Sequence, residues 1–160
     1  MGVKYLKHLA GVFVLTSLLL GCGGGSSSSG VGQPHATPYS GVYDGVLNLT
    51  AQAAGAVLST SEAYRLIVGV DGEVTESLPG FSGTGTCDDD GKKYYLTGNV
   101  LDGSVTTNCY EPSLGTCSVE ATFRYVFNAA AASMSGSARY FCQAGNFTAT
   151  FSAYLPKTSA

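Results

Sequence analysis

The residues with chemistry to offer are few. Five cysteines stand at positions 22, 87, 109, 117 and 142, and the only histidines, His8 and His35, both precede residue 39. A body without histidine cannot assemble a Ser-His-Asp or Cys-His nucleophilic set. The eleven Asp and Glu residues fall mostly at turns, with no spacing that pairs two of them for acid–base work on a glycosidic bond. Asp88-Asp89-Asp90-Gly91 invites a calcium reading, but it lacks the alternating ligands and closing glutamate of an EF-hand loop and reads as a charged hairpin tip. No glycine-rich phosphate loop precedes a helix. The expectation is a non-catalytic chain with no cofactor and no metal site.

The first cysteine has a distinct context. Lys4 and Lys7 form a positive start, and the uncharged, mostly apolar run from Leu9 to Leu20 follows it. That run is too short to span a bilayer as a helix and suits a signal segment. It ends in Leu19-Leu20-Gly21-Cys22, which resembles the lipobox of bacterial lipoproteins. The resemblance implies cleavage between Gly21 and Cys22, diacylglycerol on the Cys22 sulfur and acylation of the new amino terminus, for instance by palmitate. Two or three acyl chains hold a protein firmly where one holds it marginally. Gly23, rather than Asp, follows the cysteine, which implies export to the outer membrane if the source is Gram-negative.

The expected organisation is a signal peptide over 1–21, a lipidated Cys22 with a flexible tether over 22–38, and a β-domain over 39–160. Gly23 to Gly30 read Gly-Gly-Gly-Ser-Ser-Ser-Ser-Gly, with nothing to pack, and Pro34 and Pro38 stiffen the end. A coil of about 16 residues reaches roughly 20–24 Å, enough to stand the domain off a membrane surface.

The remaining four sulfurs are an even set in an oxidising compartment, so two disulfides are expected. No pair of them has the short Cys-x2-4-Cys spacing of a structural zinc site. A hairpin about residue 130 sets Cys142 opposite Ser118, beside Cys117, and the turns at 88–92 and 110–116 bring Cys87 and Cys109 to the same rim. Cys87–Cys109 with Cys117–Cys142 is preferred; Cys109–Cys117 with Cys87–Cys142 is the alternative.

The elements that position these residues read as strands. Val119, Ala121, Phe123, Tyr125 and Phe127 alternate with Glu120, Thr122, Arg124 and Val126. Ala132 to Tyr140 and Phe147 to Leu155 repeat the pattern, with small or aromatic residues on one face and Ser, Thr or Arg on the other. Such runs belong to antiparallel strands with one buried and one solvated side. About eight strands are expected, over 41–51, 62–70, 73–78 with 81–87, 93–101, 104–110, 117–128, 132–142 and 146–155. Asp71-Gly72 and Asp102-Gly103 carry hairpin signals, and Gly145-Asn146 marks a further turn. Ala51 to Ser59 reads as a long loop or one helical turn. The fold expected is all-β: an antiparallel meander closed as an up-and-down barrel of the lipocalin or streptavidin kind, or as a closed sandwich.

Composition narrows the function. Charged residues are 12% of the chain, about half the usual share, and no basic cluster is present, which excludes nucleic acid as a partner. Removal of residues 1–21 takes away Lys4 and Lys7 and moves the formal charge from −3 to −5. Large and small inward residues suit a filled barrel, and they also suit one that encloses an apolar ligand. Ser135-Gly136-Ser137-Ala138-Arg139-Tyr140 is similar to the Ser-Gly-x-x-Tyr motif of periplasmic lysozyme inhibitors, small lipid-anchored β-barrels, although the tyrosine here falls one residue late. The reading is a lipid-anchored envelope protein with a binding or structural β-domain. A carrier of a small apolar ligand and an inhibitor of a hydrolase such as lysozyme are the alternatives. The membrane, through the N-terminal lipid, is the expected contact, with an envelope protein as the further partner.

Overall fold

The computed structural model describes residues 34–53, 55–77, 86–88 and 92–159. The segment read as a signal peptide, Gly21, Cys22 and most of the expected tether lie outside these residues, as do Asp89, Asp90 and Gly91.

Alternation of apolar and polar side chains over long runs leaves the chain little choice but antiparallel strands with one inward face. Nine lie among the described residues: β1 (Gly41–Ala53), β2 (Ala56–Val68), β3 (Glu73–Ser77), β4 (Thr86–Cys87), β5 (Tyr94–Tyr95), β6 (Val100–Glu111), β7 (Gly115–Phe127), β8 (Ala131–Cys142) and β9 (Gly145–Ser159). They form a single sheet in the order β4-β6-β7-β8-β9-β1-β2-β3-β5. The sheet curls into a nearly closed barrel, and no helix is present among the described residues.

The first and last long strands are neighbours. β1 pairs with β9 as well as with β2, so Leu47 stands opposite both Ala153 and Glu62. The weak place is the seam between the β3–β5 edge and the β4–β6 edge. β3 and β5 share two residue pairs, β4 and β6 two more. β5 runs straight into β6 through a turn bridged by Thr97 and Val100. Along the seam, the Tyr94 hydroxyl donates to the Ser104 carbonyl at 3.2 Å.

Several expectations about the elements change. The stretch read as a long loop or helical turn is strand on both sides of Ala54, which lies outside the described residues: β1 runs to Ala53 and β2 starts at Ala56, a hairpin in register from Gly41↔Val68 to Ala53↔Ala56. The Ala-rich stretch alternates burial like the strands beside it, and pairing along the hairpin overrides its weak β-propensity. Asp102-Gly103 is no turn but the interior of β6, with Asp102 opposite Arg124 and Gly103 opposite Phe123. The strand read over 93–101 shrinks to Tyr94–Tyr95. Asp71-Gly72 does turn the chain, with Gly72 at φ 82°. The β8–β9 turn comes at Gln143 and Ala144, and Gly145 already opens β9 opposite Cys142.

The inward faces meet in one core. Tyr43, Leu47, Leu66, Leu96, Val119, Tyr125, Phe127, Tyr140 and Leu155 are its fully buried large side chains. Across the middle of the barrel a register row alternates small and large: Gly103 faces Phe123, Phe123 faces Gly136, and Gly136 faces Phe151. Each ring leans over a neighbouring glycine, so that a Cβ added at Gly103 would overlap Phe123 and one at Gly136 would overlap Phe151. Such glycine–aromatic pairs let a tightly curved sheet fill its own interior.

The outward face is a lattice of hydroxyls. Ser59, Thr50, Thr150, Ser137, Thr122 and Ser104 follow one another in register across six strands. A lipid-facing barrel wall would be apolar in this band.

Candidate functional site

The strand parity that buries the aromatic side chains also brings three polar groups inside. β2 turns Tyr64 inward, β7 turns Tyr125 inward, and Glu76 follows Val74 on the inner face of β3. Tyr64 and Tyr125 lie on strands that are not neighbours in the sheet, and their hydroxyls meet across the interior at 2.5 Å. The Tyr125 hydroxyl donates to Oε1 of Glu76. A phenol has one hydrogen to give, so Tyr64 is the donor to Tyr125. The result is a directed relay from Tyr64 through Tyr125 to Glu76.

Burial dominates the electrostatics of this relay. It pushes the Glu76 carboxyl up to about 8, against the hydrogen bond from Tyr125 and the nearby Tyr64 hydroxyl behind it, which favour the carboxylate. Burial, and then the Glu76 charge, raise both tyrosines well above the ordinary phenol value. Burial thus favours the neutral form of Glu76, whose Oε1 accepts from Tyr125 and whose Oε2 is the second oxygen. That second oxygen is buried and has no hydrogen-bond partner. Glu76 lines a small cavity with Val74, Tyr94, Leu101 and Phe123, of about 10 Å³. The space suits one water.

A second polar construction sits at the rim far from the tether. Glu111 ends β6 with its side chain buried, and Oε2 accepts from the amides of Ser113 and Leu114 at 2.7 and 3.0 Å and from the Ser113 hydroxyl. The neighbouring turn is tied to this one, Gln143 N donating to Thr116 O and Ala144 N to Leu114 O. Beside them run the cysteines. Cys87–Cys109 and Cys117–Cys142 are bonded, at Cα separations of 3.9 Å each. Register places all four in a single row, Cys87 opposite Cys109, Cys109 opposite Cys117 and Cys117 opposite Cys142. The preferred pairing stands, with Cys142 opposite Cys117 itself rather than Ser118. Two aromatic side chains are exposed on this rim: Tyr110 at 53% and Phe141 at 44%. The chain ahead of β1 meets the opposite end, where the His35 amide donates to the Asp71 carbonyl at 2.8 Å and Tyr39 packs on Phe127.

The other marked residues are scattered. Asp88 is exposed beside β4, and among the described residues no group of three or more His, Cys, Asp or Glu gathers to hold a metal ion. The Ser135–Tyr140 run lies in the middle of β8, not in a loop. Its Ser135, Ser137 and Arg139 face outward, while Tyr140 is fully buried, stacked on Phe147 at 4.2 Å, with its hydroxyl unpartnered. That tyrosine cannot enter a partner's cleft from there. Glu76 and the tyrosine relay were not singled out from sequence. The available signal was a carboxylate at the inward parity of a short strand, two residues after Val74.

Compared with known proteins, the chain matches no family model, no curated protein and no solved structure.

Proposed function

We propose that this chain is a lipid-anchored protein of the cell envelope whose β-domain is a non-catalytic binding module, and that the disulfide rim is the surface it presents. One observation carries the reading. The end of the barrel opposite the tether is rigid, through two disulfides and the Glu111-capped turn, and it exposes Tyr110 and Phe141. Rigid loops that expose aromatic side chains bind with little ordering cost. The lipobox residues Leu19-Leu20-Gly21-Cys22 and the Gly/Ser tether supply the anchor in this reading. Two disulfides suit an oxidising compartment.

The test has two arms. Cys22→Ala should move the protein from the membrane fraction to the soluble fraction; continued membrane association would sink the anchor. A photo-crosslinking residue placed at Tyr110 or Phe141 in intact cells should capture a discrete partner, while one at outward-facing Ser152 should not. Equal capture at all three positions, or none at any, would sink the rim as the binding surface. Capture of a glycan hydrolase would assign the protein as an inhibitor.

A further inference from the structure

We propose that Glu76, with the rings of Tyr94 and Phe123, forms a site for a small ammonium-type cation, either the ammonium ion or the head of a primary amine, behind the seam between β5 and β6. The inference is independent of the anchor and of the rim.

The cavity there has one strong acceptor left unused. Oε1 of Glu76 is taken by Tyr125, and Oε2 is buried without a partner. Among the described residues no cation acts on this carboxyl; burial and the two tyrosine hydroxyls shift it. A buried carboxylate without a counter-charge takes either a proton or a cation. The walls favour one kind of cation. Tyr94 and Phe123 meet edge to face, with ring centroids 5.2 Å apart, and both line the cavity. Aromatic rings attract ammonium groups. A hard metal ion would need several oxygen ligands, whereas Val74, Leu101 and Phe123 offer none. The volume, about 10 Å³, matches a single nitrogen with its hydrogens. An alkyl chain on that nitrogen would point toward the seam, where the Tyr94 hydroxyl donates to the Ser104 carbonyl between β5 and β6.

Proton and cation compete for the same oxygen. The titratable groups facing Glu76 are Tyr64 from β2, Tyr125 from β7 and Tyr94 from β5; β6 and the rest of β3 turn Leu101 and Val74 to it. Binding expels the Glu76 proton to solvent, so it tightens as pH rises through about 8 and fades once the ammonium group itself loses its proton.

The test uses the full chain near the Glu76 titration, with ammonium chloride and methylammonium chloride in separate titrations and potassium chloride as the control. The carboxyl carbon resonance of Glu76 and the thermal midpoint should respond saturably to the first two salts and not to the third. A response to ammonium alone assigns the ion; a response to both assigns the amine head as well. Glu76→Gln should weaken binding about tenfold or more, the loss of a charge-assisted hydrogen bond. If Glu76→Gln does not fold, Tyr94→Phe should retain binding and Tyr94→Leu should weaken it. Equal responses in potassium chloride, an unchanged affinity in Glu76→Gln or in Tyr94→Leu, or no response to any salt would leave a water only in the cavity and overturn the proposal.

Discussion

The ring of Phe123 lies in the space where a side chain at position 103 would begin, and it can do so because residue 103 is glycine. Phe123 cannot swing away, since Tyr94 and Tyr125 hold its ring at centroid distances of 5.2 and 5.8 Å. Gly103→Ala should therefore destabilise the domain by about 1–3 kcal/mol through overpacking. Gly136→Ala should cost more, because the added methyl would meet the Thr122 carbonyl of the backbone as well as the Phe151 ring. Urea denaturation midpoints of the two variants check both the size and the order. Midpoints equal to the parent's would refute the close packing.

The relay makes its two tyrosines unequal. Tyr64→Phe removes the terminal donor and leaves the bond from Tyr125 to Glu76 in place. It should cost about 1 kcal/mol. Tyr125→Phe strands both the Tyr64 hydroxyl and Glu76 Oε1, and each buried unsatisfied group costs about 1–3 kcal/mol. Thermal unfolding of the two variants should rank Tyr125→Phe as the more damaging. The reverse order would contradict the donor direction derived from the geometry.

Stability should fall as pH rises. In the folded protein the Glu76 carboxyl is pushed up to about 8 from an ordinary value of 4.5. Between those values the native state holds a proton that the unfolded chain has lost, so the stabilisation is complete below the lower value and is lost on passing the upper one. The slope across the window is about 1.4 kcal/mol per pH unit for this one group. Glu76→Gln, always neutral, should flatten it. Denaturation midpoints across this range check the prediction, and a parent and a variant with parallel profiles would overturn it.

The cysteine row makes a third pairing reachable. Cys109 and Cys117 stand opposite each other in the β6–β7 register, although each is bonded elsewhere. The double variant Cys87→Ala, Cys142→Ala should oxidise to a Cys109–Cys117 bond, detectable as a crosslinked peptide by mass spectrometry under non-reducing conditions. The complementary pair, Cys87 with Cys142, lies three strands apart, about 14 Å at the usual strand spacing, and should stay reduced when Cys109 and Cys117 are removed.

Strand parity was written most plainly in β7, β8 and β9. There Val119 to Phe127, Ala132 to Tyr140 and Phe147 to Leu155 alternate almost without exception, and each inward residue so assigned faces the core. The hairpin through 51–59 was less legible, because alanines and a glycine have little intrinsic preference for strands and the pairing of β1 with β2 decides the matter. Gly103 misled for a related reason. A glycine after aspartate signals a turn, but this one is required by the Phe123 ring on the next strand, which is invisible to local pattern. Hairpin arithmetic brought the four sulfurs to one rim and favoured the observed pairing, but it left Cys109–Cys117 with Cys87–Cys142 open. Glu76 was not legible in this way, since its importance lies in what surrounds it: two hydroxyls contributed by residues 12 and 49 positions distant in the chain.

The neighbourhood of β1 and β9 sets the order in which the molecule comes into being. The earliest of the described strands is stitched to the latest of them, from Val42 beside Ser159 to Gln52 beside Thr148. A growing chain emerging residue by residue holds the earlier hairpins but cannot pair β1 with its second neighbour until β9, Gly145–Ser159, appears. Non-local pairing of this kind slows folding. Truncation anywhere in β9 therefore leaves an open sheet with two long bare edges, prone to stick to its own kind.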